Sequence, residues 1–172
     1  MHVIPKQERP TLLKCGAERD QLTSWLAFYR ATLLTKCAGL SIDQLKMRPI
    51  PSSSLTLLGL VRHMTYVEQV WFDVRFAANE VDEYYKRAED HDADFNDLES
   101  ASLDEVIENF HRACERSDEI AHGHGLDEMV ARITKGREVD LRWIYIHMIE
   151  EYARHLGHAD LMRELIDGET GY

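Results

Sequence analysis

Apolar side chains recur at intervals of three and four residues over four long stretches of the chain, which is the pattern of one helical face. The stretches run from Ala17 to Ala38, from Leu55 to Ala78, from Ser102 to His122 and from Asp140 to Gly168. Proline occurs only at positions 5, 10, 49 and 51, so no proline interrupts these helices. The pattern predicts an all-α four-helix bundle, and the length suits a single domain over residues 1–172.

A strongly acidic segment, residues 79–101, connects the second and third predicted helices. It lacks a sustained helical pattern, and we expect it to be irregular, with a helical stretch from Val81 to Arg87. Connections of this length usually cross the end of a bundle or serve as functional loops.

Composition narrows the possible functions. Lysine and arginine number 20 against 31 acidic residues, for a net charge of −11, which argues against nucleic-acid binding. No apolar run approaches the ~20 residues of a membrane span, so we expect no membrane partner.

The three cysteines have no CxxC spacing, and the start of the chain lacks a signal-peptide pattern, so a cytoplasmic location is expected. Cys37 and Cys114 are expected to be buried structural thiols.

Polar groups interrupt the seam of the fourth helix, which should be apolar throughout. Spacings of four and three relate its members, and Glu151, His155 and His158 occupy the centre. The complete seam comprises Ile144, Met148, Glu151, His155, His158, Met162 and Leu165. An unpartnered carboxylate in a core costs several kcal/mol or becomes neutral. Either an ion pair with His155 or a bound metal ion would compensate for this cost.

The spacing suits a metal ion, because Glu151 and His155 are four residues apart and therefore neighbours on one helix face. A third ligand must come from another helix, and His63 on the apolar face of the second helix is the best candidate. Sites with two histidines and one carboxylate leave an open position and are typical of catalytic metals. His147 is a weaker alternative ligand, and His158 could support a ligand or contact substrate. The other histidines are expected in a glycine turn (His122, His124) or at the surface (His2, His91, His111).

These residues carry a family resemblance. Residues 141–164 resemble the last-helix signature of the DinB-like superfamily, in the branch with E-x-x-x-H in place of H-x-x-x-H. Residues 54–63, followed by Glu68, Trp71 and Phe72, resemble the second-helix motif, and residues 18–22 resemble the start of the first helix. The resemblance implies a four-helix bundle, commonly dimeric. It also implies a divalent metal, often zinc and sometimes nickel, held at His63, Glu151 and His155.

The same resemblance implies a function, because the superfamily includes mycothiol- and bacillithiol-dependent S-transferases. Our leading hypothesis is a metal-dependent enzyme that transfers a low-molecular-weight thiol of the mycothiol type to an electrophile, acting as a homodimer. A thiol in the open metal position would lose its proton. His158 is the candidate catalytic residue that accepts this proton. Tyr66, Tyr152 and Trp71 are candidates for the pocket walls.

Two alternatives stay open. The superfamily also includes mycothiol-dependent maleylpyruvate isomerase, which needs a cationic clamp for its dicarboxylate substrate. Arg62, Arg142 and Arg154 flank the motif helices and are the candidates for that clamp. Isomerase relatives usually carry a further C-terminal domain, so this alternative ranks lower. The second alternative is a non-catalytic metal-binding dimer with a role in stress or detoxification.

Overall fold

The computed structural model describes residues 3–134, 136 and 138–171, and His2 lies outside them. The described chain is helical, as predicted, with four long helical units and two short helices. The elements are α1 (Glu18–Cys37), α2 (Ile42–Leu45), α3 (Leu57–Glu68) continued by a π-helix (Gln69–Phe76), α4 (Ala93–Asn96), α5 (Leu103–Ala121) and α6 (Leu141–Asp167). Each helix in these described ranges is too short or too polar to cross a membrane.

Local signals set the ends of the two helices that carry the candidate ligands. The Thr56 hydroxyl accepts a hydrogen bond of 2.9 Å from the backbone N–H of Gly59, so α3 begins two residues later than predicted. The Asp140 carboxylate accepts one of 2.7 Å from the N–H of Trp143 and starts α6. Gly168, with φ of 78°, ends α6 at the predicted position because glycine tolerates the left-handed conformation.

The core lies between two helix pairs, because α1 packs mainly on α6 and α3 mainly on α5. Met148 and Met162 of the predicted α6 seam are fully buried, whereas Leu165 is 60% exposed. A seven-residue repeat drifts by roughly 20° per heptad on a straight helix, so the seam leaves the core before it reaches Leu165. The largest fully buried side chains include Leu26, Leu33, Leu60, Met64, Phe72, Phe110 and Tyr152.

The second predicted helix is continuous but changes its winding after Glu68. In the π-helix each N–H bonds five residues back, as in the 3.0 Å bond from Ala77 N to Phe72 O. The wider turn directs the Trp71 ring towards α6, where it lies 5.1 Å from the Trp143 ring. The apolar spacing alone could not predict this change of winding.

The acidic connection after the π-helix is irregular, as predicted, but the helical stretch expected from Val81 to Arg87 is wrong. Tyr85 has a φ of 57°, a left-handed conformation that a right-handed helix cannot include. The helical turn lies further along instead, at α4, which packs against α3. This packing places the connection beside one of the candidate metal ligands.

Candidate metal centre

Three predicted ligands from two helices converge at one point. His63 comes from α3, and Glu151 and His155 come from adjacent turns of α6. One ligand atom from each lies within 4.8 Å of the other two. The Nε2 of His155 is 3.4 Å from Oε2 of Glu151, and the His63 and His155 rings have centroids 4.8 Å apart. Residues 88 positions apart in sequence therefore form one cluster.

Asp94 of α4 orients the His63 ring. Its Oδ2 lies 2.7 Å from Nδ1 of His63, and the Asp94 side chain is only 10% exposed. Because a carboxylate only accepts hydrogen bonds, this contact puts the proton of the neutral ring on Nδ1. The Nε2 atom of His63 keeps its lone pair for a ligand. Histidine ligands in metal sites commonly have such a carboxylate partner.

His155 is held as a neutral imidazole. Burial lowers its pKa to about 4, and the nearby His63, His158 and Arg154 act in the same direction. Asp94 opposes this shift only in part. The neutral imidazole is the form that binds a metal ion, so at neutral pH this side chain needs no proton loss before binding.

Glu151 stands between two histidines of its own helix. Its Oε2 faces His155, and its Oε1 lies 3.4 Å from Nε2 of His147. The His147 ring is fixed by stacking on Trp143, with centroids 4.8 Å apart and planes 18° apart. His158 lies on the other side, with its Nδ1 3.4 Å from Nδ1 of His155. His147, the alternative ligand, and His158, the candidate catalytic residue, therefore both lie next to the predicted ligands.

Glu68 on α3 is a more deeply buried carboxylate than Glu151. The Glu151 side chain is 23% exposed, whereas Glu68 is fully buried. Glu68 accepts two hydrogen bonds of 2.7 Å from Arg30 and one of 2.9 Å from the Tyr152 hydroxyl. Tyr152 is also fully buried in this network, so its predicted place in a pocket wall is wrong. On α6, Tyr152 faces the core while its neighbour Glu151 faces the candidate site.

The buried carboxylates of Glu68 and Asp94 differ in how well the sequence marks their positions. Glu68 follows the buried Met64 by four residues, so its helical spacing placed it on the core face. Asp94 stands in the run Asp-His-Asp-Ala-Asp, where no periodicity separates one carboxylate from the next. The predictions for the other described histidines are confirmed, because their side chains are exposed: His91, His111, His122 and His124.

The cluster fits a divalent metal ion in its chemistry. It offers two imidazoles, one of them held neutral and the other oriented by Asp94, together with one carboxylate. This donor set suits zinc and the neighbouring divalent transition metals, and three protein ligands leave a position open. The role of His63, Glu151 and His155 as metal ligands stays a prediction.

Comparison with protein families assigns the chain. A family model described as mycothiol-S-transferase matches residues 21–168, which is most of the chain and includes all three candidate ligands. Comparison with curated proteins gives no significant match. The matched region begins in the first turn of α1 and ends just after α6, so it covers nearly all of the helical bundle. The chain therefore belongs to the mycothiol-S-transferase family, a DinB-like family.

Proposed function

We propose that the protein is a divalent-metal-dependent S-transferase that joins a low-molecular-weight thiol of the mycothiol type to an electrophile. The observation that carries this proposal is the convergence of His63, Glu151 and His155 in a chain of this family. The three side chains would hold the metal ion, with zinc the leading candidate. When bound, the metal would lower the pKa of a thiol in its open position and so supply a thiolate at neutral pH.

Each side chain has a defined task in this proposal. Glu151 contributes negative charge, His63 presents Nε2 because its Nδ1 is engaged by Asp94, and His155 is already neutral. His158 is half-buried beside His155 and would take up the thiol proton on its imidazole ring. The thiol sulfur then forms a bond to the electrophilic carbon, and the leaving group departs with its bonding electrons. His158 finally returns its proton to the leaving group or to solvent.

The contacts of the candidate arginines do not favour the isomerase alternative. A dicarboxylate clamp needs guanidinium groups that are available to the substrate. Arg62 instead donates to backbone carbonyls of the α4 segment. Arg142 pairs with Glu18, and Arg154 pairs with Glu150. All three arginines are thus engaged within the chain.

Thiol conjugation by the purified protein tests the proposal. Mycothiol and a bimane electrophile are incubated with zinc-loaded protein, and glutathione serves as the comparison thiol. We expect conjugation with mycothiol above the uncatalysed rate and its loss in His155→Ala. The matched control is His111→Ala on the exposed face of α5, which should keep full activity. Undiminished activity in His155→Ala would refute the proposed mechanism. A parallel assay with maleylpyruvate distinguishes an isomerase from a transferase.

A further inference from the structure

Two consecutive residues of α3, Arg62 and His63, hold α4 in place. Arg62 is only 3% exposed, and its Nη2 donates to the Ala93 carbonyl at 3.2 Å. Its Nη1 donates to the Asp97 carbonyl at the other end of α4. The guanidinium also lies 4.4 Å from the ring centroid of Tyr85. One buried cation therefore fastens both ends of a four-residue helix whose middle contains the partner of His63.

The shape of α3 provides a second constraint on α4. Phe95 packs over α3 with its ring 5.4 Å from the His63 ring. A Cβ atom at Gly59 would lie 2.6 Å from Cδ1 of Phe95, so only glycine leaves room for this ring. Glycine within a helix costs about 1 kcal/mol relative to alanine. Gly59, one turn before His63, therefore leaves the space on α3 that the Phe95 ring of α4 fills.

Asp94 is placed by these two constraints. Asp94 is only 7% exposed, and each of its two carboxylate oxygens has a different partner. Oδ1 accepts the backbone N–H of Phe95 at 3.1 Å, which orients the carboxylate, and Oδ2 faces Nδ1 of His63 at 2.7 Å. Without an acceptor at Nδ1, the ring of His63 could carry its proton on either nitrogen. Protonation of Nε2 would remove the lone pair that the candidate site needs.

We infer that α4 is a positioning element and that Asp94 fixes the tautomer and orientation of His63, with Arg62 and Gly59 holding Asp94 in register. The consequence for metal binding rests on the proposed function, whereas the tautomer does not. Removal of such a supporting carboxylate typically weakens metal affinity by about 10- to 100-fold. Asp94 is thus a positioning residue and not a ligand.

The tautomer is measured first, in the metal-free protein, by long-range proton–nitrogen NMR of the imidazole rings. We expect the neutral ring of wild-type His63 to carry its proton on Nδ1. In Asp94→Ala the ring should populate the Nε2–H form, and Asp94→Asn, whose amide oxygen still accepts, should restore the Nδ1–H form. The matched control is Asp97→Asn, which changes an exposed carboxylate on the same segment, 3.3 Å from Arg87. The substitution keeps the backbone carbonyl that accepts from Arg62. A neutral His63 ring that carries its proton on Nε2 in the wild type would overturn the inference without any variant.

Zinc affinity is measured next, by competition with a chromophoric chelator. We expect Asp94→Ala to bind zinc about 10- to 100-fold more weakly, with a smaller loss in Asp94→Asn and none in Asp97→Asn. Gly59→Ala, which displaces Phe95 and leaves Asp94 chemically intact, should weaken binding in the same direction. Unchanged affinity in Asp94→Ala would overturn the positioning role while the metal site stands. Failure of the wild type to bind zinc, together with the expected tautomers, would refute the proposed function and support the role of Asp94.

Discussion

Glu68→Gln is expected to destabilise the protein substantially, although Glu68 lies outside the candidate site. The carboxylate is fully buried and accepts from Nε and Nη2 of Arg30, both at 2.7 Å, and from the Tyr152 hydroxyl. Burial raises the pKa of that hydroxyl well above its usual value, and the Glu68 charge raises it further, so Tyr152 remains a donor. The network connects α1, α3 and α6. A glutamine amide would turn an N–H towards the guanidinium and leave Arg30 without its buried counter-charge.

The magnitude follows from the partner that remains. Loss of one member of a buried ion pair typically costs about 3–5 kcal/mol. Arg30 keeps one contact, with Asp118 at 2.8 Å, so we expect the lower end of this range. At about 2–4 °C per kcal/mol for a chain of this size, about 3 kcal/mol lowers Tm by about 6–12 °C.

Equilibrium urea denaturation and thermal melting of wild type and Glu68→Gln measure this effect. The matched control is Asp118→Asn, which changes the other partner of Arg30. Because the Asp118 side chain is 62% exposed, its loss should cost less than about 1 kcal/mol. A Glu68→Gln protein within about 1 kcal/mol of wild type would refute the reasoning. So would an equal cost for the two substitutions.

Two further predictions concern thiols and pH. A thiol reagent should modify only Cys15 in the folded protein, because it alone of the three cysteines is exposed, and should modify all three in denaturant. Burial raises the pKa of the Cys37 thiol to about 12, and rapid labelling of it in the folded state would contradict this assignment. The pKa of His155 is about 4 in the folded chain, against an ordinary value of about 6.5, so between these values the unfolded chain binds more protons. Urea denaturation of the metal-free protein should therefore show stability falling from pH 6.5 to pH 4, and His155→Ala should remove part of that fall.

The fold could be predicted from the sequence because apolar periodicity and helix-end residues act locally. Asp140 and Gly168 mark the ends of α6 within one residue of the structure. The π-helix could not be predicted in this way, because no residue type marks the point where the helix changes from α to π winding. The left-handed Tyr85 depends on tertiary contacts, including the packing of Arg62 over its ring.

The candidate ligands could be predicted from the sequence, whereas the residues around them could not. Glu151 and His155 are four residues apart on one helix, and His63 interrupts an apolar face, so each carries a local signal. Asp94 reaches His63 across 31 residues of chain, and its place depends on how α4 packs against α3. A single sequence holds no record of that packing. For this reason the candidate ligands could be predicted from the sequence and the carboxylate beside His63 could not.

The ratio of zinc to protein chain is the most direct test of the central claim, that His63, Glu151 and His155 hold one divalent ion. Purified protein is reconstituted with zinc, freed of excess metal and analysed by mass spectrometry for metal content. The account predicts about one ion per wild-type chain and a large loss in the double variant Glu151→Gln with His155→Ala. A wild-type ratio that stays far below one after reconstitution, or an unchanged ratio in the double variant, would contradict it.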